Sequence, residues 1–245
     1  MMADVLTVMW KEWRELLRQR ESMRGGIMRI LLFVGVFGVF LPLQMGREWV
    51  ESPQLLMMWA WVPLFLVTTV VADSFAGERE RHTLETLLAS RLSDRSILFG
   101  KMGAALSYGF GLTSIGIVLG LVTVNLVHGK GELLLYSPTI AVSIIGLMFL
   151  GAGLAAGAGV LVSLRASSVR QAQQTMSIAI MLLLFVPIYG VQALPENWKM
   201  PIAKLFMNAN ATQLMFIAMA VLAVIDIGLL VAAMARFKRA RLILD

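Results

Sequence analysis

The chain has 245 residues, carries 21 Lys and Arg against 15 Asp and Glu, and has a formal net charge of +6. Apolar residues make up 58% of it and charged residues only 15%, whereas about 25% of a soluble domain is charged. This composition excludes a soluble globular enzyme, a disordered tail and a nucleic-acid module. It indicates an all-α integral membrane protein, with residues 1–245 forming a single transmembrane domain.

The first predicted element is an amphipathic helix over about residues 5–20. Apolar Leu6, Met9 and Trp13 recur at three- and four-residue steps, while Lys11 and Arg14 occupy the other side. A helix with a basic face and tryptophans suits the headgroup region, so we expect it to lie on membrane lipid. Contact with a cytosolic partner is the alternative interpretation.

Six apolar segments follow, each long enough to cross about 30 Å of hydrocarbon. Only helices satisfy the backbone in lipid at this span length, so the predicted fold is a six-helix transmembrane bundle. The predicted spans are about residues 27–45, 55–75, 97–127, 139–163, 175–194 and 212–235.

The positive charges predict the orientation of this bundle. Seventeen Lys and Arg fall on the side of the N-terminus and 4 fall in the opposite loops. Because cytoplasmic loops carry the excess of positive charge, we expect a multi-pass protein of the plasma (inner) membrane with both termini in the cytosol. The net charge then reflects topology, and no nucleic-acid partner is expected.

The connection between the second and third spans holds the most informative residues. A charged run at 78–81 precedes a short amphipathic helix with Leu84, Leu87 and Leu88 on one face. Ser93 is predicted to cap the N-terminus of the third helix, with Asp94 near its positive end. Such a connection would place a short helix on the cytosolic surface.

This stretch resembles the membrane subunits of type-2 ABC exporters. Residues 77–90 read GERERHTLETLLAS and residues 97–101 read ILFGK. The family carries G-E-[KR]-E-x-G-T-L-E-x-L-L, then I-x-x-G-K at the start of the next span. His82 stands where the family usually has Gly.

The resemblance implies a permease with a substrate path at the interface of a permease homodimer or heterodimer. Two copies of a separate P-loop ATP-binding subunit, carrying ATP and Mg, would dock through the short helix. By resemblance, the residues that couple to the ATPase are Thr83, Leu84, Glu85, Leu87 and Leu88. The charges at the rim of this docking surface are Glu78, Arg79, Glu80 and Arg81.

The chain lacks a catalytic motif of its own. The P-loop pattern G-x-x-x-x-G-K-[ST] does not occur, since Gly100-Lys101 is followed by Met102. We therefore expect no catalytic residue and ATP hydrolysis on a partner subunit only. The absence of cysteine and the presence of only 2 His argue against a metal site.

Polar residues inside the predicted spans leave several interpretations open. Asp226 is the one acid deep in a span, where a charge is costly and is usually paired or functional. It could form a structural hydrogen bond, stay protonated, or carry cations or protons. Thr68 and Thr69 could line a path, although such hydroxyls more often bond back to their own helix. An ATP-independent channel or proton-coupled carrier that uses Asp226 is the alternative function.

Glycines inside the spans predict close helix packing. Gly153 and Gly157 lie four residues apart, as do Gly116 and Gly120. This small-xxx-small spacing allows two helix backbones to approach each other within a membrane.

Overall fold

The structure is a computed structural model, and it describes residues 1–18, 23–83, 86–87, 89–201 and 211–238. Within these ranges helices are the only regular structure, which confirms the predicted all-helical class. The helices are numbered α1 (Met2–Arg18), α2 (Met23–Gly35), α3 (Leu41–Met45), α4 (Glu48–Glu51), α5 (Pro53–Ala72), α6 (Glu78–Glu80), α7 (Asp94–His128), α8 (Pro138–Ser163), α9 (Val169–Ala193) and α10 (Ala211–Arg236). A further helical segment covers 196–201.

Three of the described helices are long and apolar enough to cross a membrane, namely Asp94–His128, Pro138–Ser163 and Thr212–Arg236. A shorter apolar helix covers Ile30–Met45. The largest difference from the predicted ends is in α9, which begins at Val169 instead of residue 175. Ser168 caps α9 by accepting a hydrogen bond from the Gln171 amide at 3.2 Å, so the helix starts in a polar stretch that hydropathy does not detect.

Two π-helical turns interrupt otherwise continuous helices. Val36–Phe40 joins α2 to α3, and Asp73–Gly77 joins α5 to α6. Just after the first of these turns, Pro42 has no N–H to donate to the carbonyl of Gly38 four residues earlier. The hydroxyl of Thr123 on α7 donates to that carbonyl at 2.8 Å. A neighbouring helix thus satisfies the backbone group that proline leaves free.

Glycines allow α10 to pack closely against α8. A Cβ atom at Gly153 would lie 2.6 Å from Oδ2 of Asp226, and one at Gly157 would lie 2.8 Å from Cβ of Leu229. The predicted packing role of Gly153 and Gly157 is therefore confirmed. Gly120 acts in the same way, since an added Cβ would lie 2.6 Å from Nε1 of Trp49, whereas a Cβ at Gly116 would make an ordinary contact with Trp59 at 3.5 Å.

The predicted N-terminal helix is present as α1, and it packs along the start of α7. A Cβ atom at Gly100 would lie 2.5 Å from Cβ of Val8. Further along both helices, the indole N–H of Trp13 donates to the hydroxyl of Ser107 at 2.9 Å. The contacts advance in the same direction on both helices, so α1 follows α7 for more than one turn. The end of the bundle that carries α1, residues 78–83 and 89–93 and the 164–168 loop is called the charged end below.

Candidate functional site

A buried cluster of charges lies at the charged end, where α1, the turn before α6, and α7 meet. The ammonium group of Lys101 is fully buried, with Nζ 2.8 Å from Oε1 of Glu12 and 2.9 Å from Oε1 of Glu78. Nζ also donates to the backbone carbonyl of Ser74 at 2.7 Å. The hydroxyl of Ser74 donates to Oε2 of Glu12 at 2.7 Å. These four residues come from three separate stretches of the chain and are called the Lys101 cluster.

Lys11 closes the outer side of the Lys101 cluster. Its Nζ donates to Oε1 of Glu78 at 2.9 Å and lies 3.2 Å from Oε1 of Glu15. Burial alone would lower the pKa of Lys11, but the hydrogen bond with Glu78 and the charges of Glu78, Glu12 and Glu15 together raise that pKa. Burial likewise favours a higher pKa for Glu12, yet Lys101, Ser74 and Lys11 together lower it. Both side chains therefore carry their charges at neutral pH.

The carboxylates of this site lie close together and are already paired with lysines. Glu12, Glu15 and Glu78 offer oxygens within 4.8 Å of one another, a spacing that a cation could bridge. Two ammonium groups, those of Lys11 and Lys101, already lie 2.9 Å from Oε1 of Glu78. Protonated amines supply the positive charge here and have no lone pair for a metal.

Arg79 and Glu80 hold the connection between α8 and α9. The guanidinium of Arg79 donates to the carbonyls of Leu164 at 2.8 Å and Ala166 at 3.2 Å, which follow the C-terminus of α8. A carboxylate oxygen of Glu80 accepts from the Val169 amide at 3.0 Å, at the N-terminus of α9. Each charge suits the helix end it contacts, because a helix is negative at its C-terminus and positive at its N-terminus.

The turn after α6 explains two further positions of the motif. Arg81 and Asp73 form an ion pair at 3.2 Å, and it passes directly over Gly77, where a Cβ would lie 2.6 Å from Oδ1 of Asp73. His82 has a φ of 56°, in the left-handed region that favours glycine. The Thr83 amide then donates to the carbonyl of Glu78 at 2.9 Å and closes the turn.

The structure describes two of the five predicted coupling residues. Thr83 is exposed, whereas Leu87 is partly buried against the core formed by α5, α7 and α8. Leu84, Glu85 and Leu88 lie outside the described residues. Among the predicted rim charges, Glu78 is only 3% exposed because it pairs with Lys11 and Lys101, so its place is inside the Lys101 cluster and not at a solvated rim.

The polar residues within the predicted spans are not brought together into one site. The hydroxyl of Thr68 donates to the carbonyl of Leu64 at 2.7 Å, and that of Thr69 to the carbonyl of Leu66 at 2.8 Å. Both therefore bond back to their own helix. Asp226 lies on α10 against Gly153, and its Oδ1 is buried without a hydrogen-bond partner among the described residues.

The Lys101 cluster is not among the residues predicted above, although two features of the sequence point to it. Glu12 follows Val8 by four residues on the face of α1 that packs against α7, so an acid interrupts an apolar face. Lys101 lies four residues inside the third predicted span. Each charge alone suggests a surface position, and only the close approach of α1 at Gly100 brings them together.

Comparison with known proteins identifies the family. The family model described as ABC-2 type transporter, a membrane-domain family, matches residues 3–211. Searches of curated proteins and of solved structures gave no match. The matched range includes α1, the 77–90 motif and the helices from α2 to α9, so the chain belongs to the ABC-2 family of transporter membrane domains and is a permease, not a catalytic subunit.

Proposed function

We propose that this permease is the membrane subunit of an ATP-driven exporter with six spans and both termini in the cytosol. Two permease subunits, identical or homologous, enclose the substrate path at their interface. Two copies of a P-loop ATP-binding subunit dock at the charged end, which then faces the cytosol, and carry ATP and Mg. The family membership and the 77–90 motif support this assignment.

The contacts of residues 78–81 carry the proposal of coupling. This segment directly precedes the proposed docking residues 83–89. It is bonded to α1 and α7 through Glu78, to the end of α8 through Arg79, and to the start of α9 through Glu80. A push on residues 83–89 by the ATP-binding subunit would therefore move several helices as one body, which is how rigid-body switching is transmitted.

Co-purification and a paired truncation test this function. The tagged full chain should co-purify with a P-loop ATPase, and Leu87→Ala/Leu88→Ala should weaken that association at least about tenfold, since one buried Leu contributes roughly 1.5–3 kcal/mol. Leu92→Ala is the matched control because Leu92 packs on the same core as Leu87 but lies outside 83–89. Unchanged ATPase binding and transport in the double variant would refute the docking assignment.

Oδ1 of Asp226 is buried and has no hydrogen-bond partner among the described residues, which favours one alternative, an ATP-independent channel or proton-coupled carrier. The two functions make opposite demands on this residue. The exporter needs Asp226 only for packing against Gly153, so Asp226→Asn should assemble and transport almost normally in reconstituted vesicles. Loss of transport in an assembled Asp226→Asn complex, with transport that persists without ATP in the parent chain, would favour the carrier.

A further inference from the structure

The outer face of α1 carries an apolar groove with Arg14 at its edge. The groove has a volume of about 500 Å³ and is lined by Leu6, Met9, Trp10, Trp13 and Arg14. Leu6 is 59% and Trp10 is 63% exposed, so this chain leaves much of the apolar surface uncovered. The volume falls within the roughly 300–1,000 Å³ of small-molecule sites.

The acidic side chains near this groove pair with cations other than Arg14. The neighbouring acids of α1 are engaged, because Glu12 and Glu15 pair with lysines and Asp4 pairs with the terminal amine at 3.0 Å. The guanidinium of Arg14 stacks over Trp10, 5.3 Å from the ring centroid. The part of the chain that the structure describes offers no carboxylate to Arg14, so its hydrogen-bond donors remain available for an anion.

The opposite face of α1 is fixed, which makes the groove preformed. Val8 packs against Gly100, and Glu12 is paired with the buried Lys101. A preformed site binds without the ordering cost that a mobile helix would add. In a membrane protein, tryptophans with an adjacent arginine are typical of the headgroup level.

We propose that this groove binds an anionic phospholipid of the leaflet at the charged end. An acyl chain lies along Leu6, Met9 and Trp10, and the lipid phosphate accepts hydrogen bonds from Arg14. The apolar wall accounts for the acyl chain. The guanidinium of Arg14, which meets no carboxylate among the described residues, accounts for the preference for an anionic headgroup, since arginine binds phosphate through its planar fork of donors. This site is independent of the proposed ATPase coupling.

Tryptophan quenching in lipid discs tests the proposal on the full chain. The discs are made of phosphatidylcholine and contain either brominated phosphatidylglycerol or, at the same mole fraction, brominated phosphatidylcholine. Because the chain has 6 Trp, the signal of Trp10 is taken as the difference between the parent chain and Trp10→Phe. We expect the anionic lipid to quench Trp10 about threefold more strongly or better, as one exposed charge pair allows.

Two charge variants test whether Arg14 is the residue that binds the anionic headgroup. Arg14→Gln should make the two brominated lipids equal quenchers of Trp10, whereas Arg91→Gln, an exposed arginine at the same end of the bundle, should keep the preference. Equal quenching by both lipids in the parent chain would overturn the proposal. So would a Trp10 that neither lipid quenches, which would mean that protein or water covers the groove, or equal effects of Arg14→Gln and Arg91→Gln.

Discussion

Lys101 lies in the long apolar helix α7, and its charged side chain is fully buried. Desolvating an ion pair costs about as much as the pairing returns, so such pairs contribute little net stability. Removing one member of such a pair is nevertheless strongly destabilising, because it leaves the other charge buried without a partner. Lys101 links α1 to the segment that leads into the proposed docking residues, so under the proposed coupling its charge would join α1 to the motion of that segment.

Removing Lys101 should therefore destabilise the protein strongly. Lys101→Met leaves the buried carboxylates of Glu12 and Glu78 without their main counter-charge, for an expected loss of about 3–5 kcal/mol. Lys11→Met also removes an ammonium group that pairs with Glu12 and Glu78, but Lys11 is 41% exposed. We therefore expect it to lower the free energy of unfolding by only about 0–1 kcal/mol. Denaturation of both variants in detergent would measure the difference, and equal losses would contradict the role of Lys101.

The lowered pKa of Glu12 predicts a loss of stability in acid. A carboxyl whose pKa is depressed by folding stabilises the folded state above its unfolded pKa, and this contribution is lost as the pH falls through the folded pKa. The ordinary pKa of this carboxyl is 4.5, so the loss should begin as the pH falls towards that value and continue below it. Glu12→Gln should be less stable than the parent at pH 7 and should converge with it in acid. Melting curves that remain parallel across this range would contradict the prediction.

The left-handed backbone of His82 predicts a stabilising substitution. A φ of 56° costs a residue with a side chain about 1–2 kcal/mol, and glycine avoids this strain, which explains the glycine in the family pattern. His82→Gly should therefore raise the melting temperature slightly, after the larger backbone entropy of glycine is subtracted. His82→Ala, which keeps the strain, should not. If both substitutions lowered the melting temperature equally, the side chain of His82 and not its backbone would be what matters.

At the scale of helices, the sequence predicts what depends on local chemistry and misses what depends on packing. Ser93 was predicted as a cap, and its hydroxyl accepts from the Ser96 amide at 3.1 Å. Hydropathy also located α7 and α8 to within three residues at each end. It could not indicate which face of α1 turns inward, because apolar residues lie on more than one side of the helix, with Val8 opposite Leu6 and Trp10. That choice depends on Gly100, about 90 residues away.

The contact between α8 and α10 predicts a pair of compensating substitutions. Gly153→Ala places a methyl group 2.6 Å from Oδ2 of Asp226, so the helices must separate or the carboxylate must move. We expect a lower melting temperature, and we expect Asp226→Ala in the same chain to restore much of it by making room. A neighbouring glycine supplies the control: Gly228→Ala on α10 meets nothing within 4 Å and should be neutral or stabilising.

The melting temperature of the Gly153→Ala/Asp226→Ala double variant shows whether the two residues interact by direct packing. A non-additive recovery would mean that Gly153 and Asp226 interact through shared space. Additive losses would mean that the methyl group acts elsewhere on α8, and the close packing of the two helices at this point would not be the reason for the glycine.

At the scale of the whole molecule, the two ends of the bundle differ in chemistry. The charged end holds the Lys101 cluster and the bonds of Arg79 and Glu80 to the ends of α8 and α9. The opposite end holds a mainly apolar core around Trp49, Trp59 and Val124, with the exposed pair of Arg47 and Glu132 at 3.0 Å. The distribution of Lys and Arg along the sequence predicts this asymmetry. It does not predict that the charges are bonded to one another, because the partners are far apart in the chain.

The long helix α7 separates residues at the two ends of the bundle, so labelling them can test the predicted orientation. It has 35 residues, about 52 Å at 1.5 Å per residue, so Arg91 before it and Lys130 after it lie at opposite ends of the bundle. Because the chain has no cysteine, Arg91→Cys and Lys130→Cys each provide a single thiol. Both positions are exposed, and neither takes part in the Lys101 cluster.

We expect a membrane-impermeant maleimide added to intact cells to label Lys130→Cys and Lys199→Cys but not Arg91→Cys. Arg91→Cys should react only after permeabilisation, and a reporter fused after Asp245 should be active in the cytosol. The physical reason is the excess of positive charge on the side of Arg91, since translocating Lys and Arg across the membrane is costly. The reverse pattern, with Arg91→Cys labelled from outside and Lys130→Cys protected, would invert the bundle. A charged end outside the cell could not meet an ATP-binding subunit, so the coupling proposal would fail with the orientation.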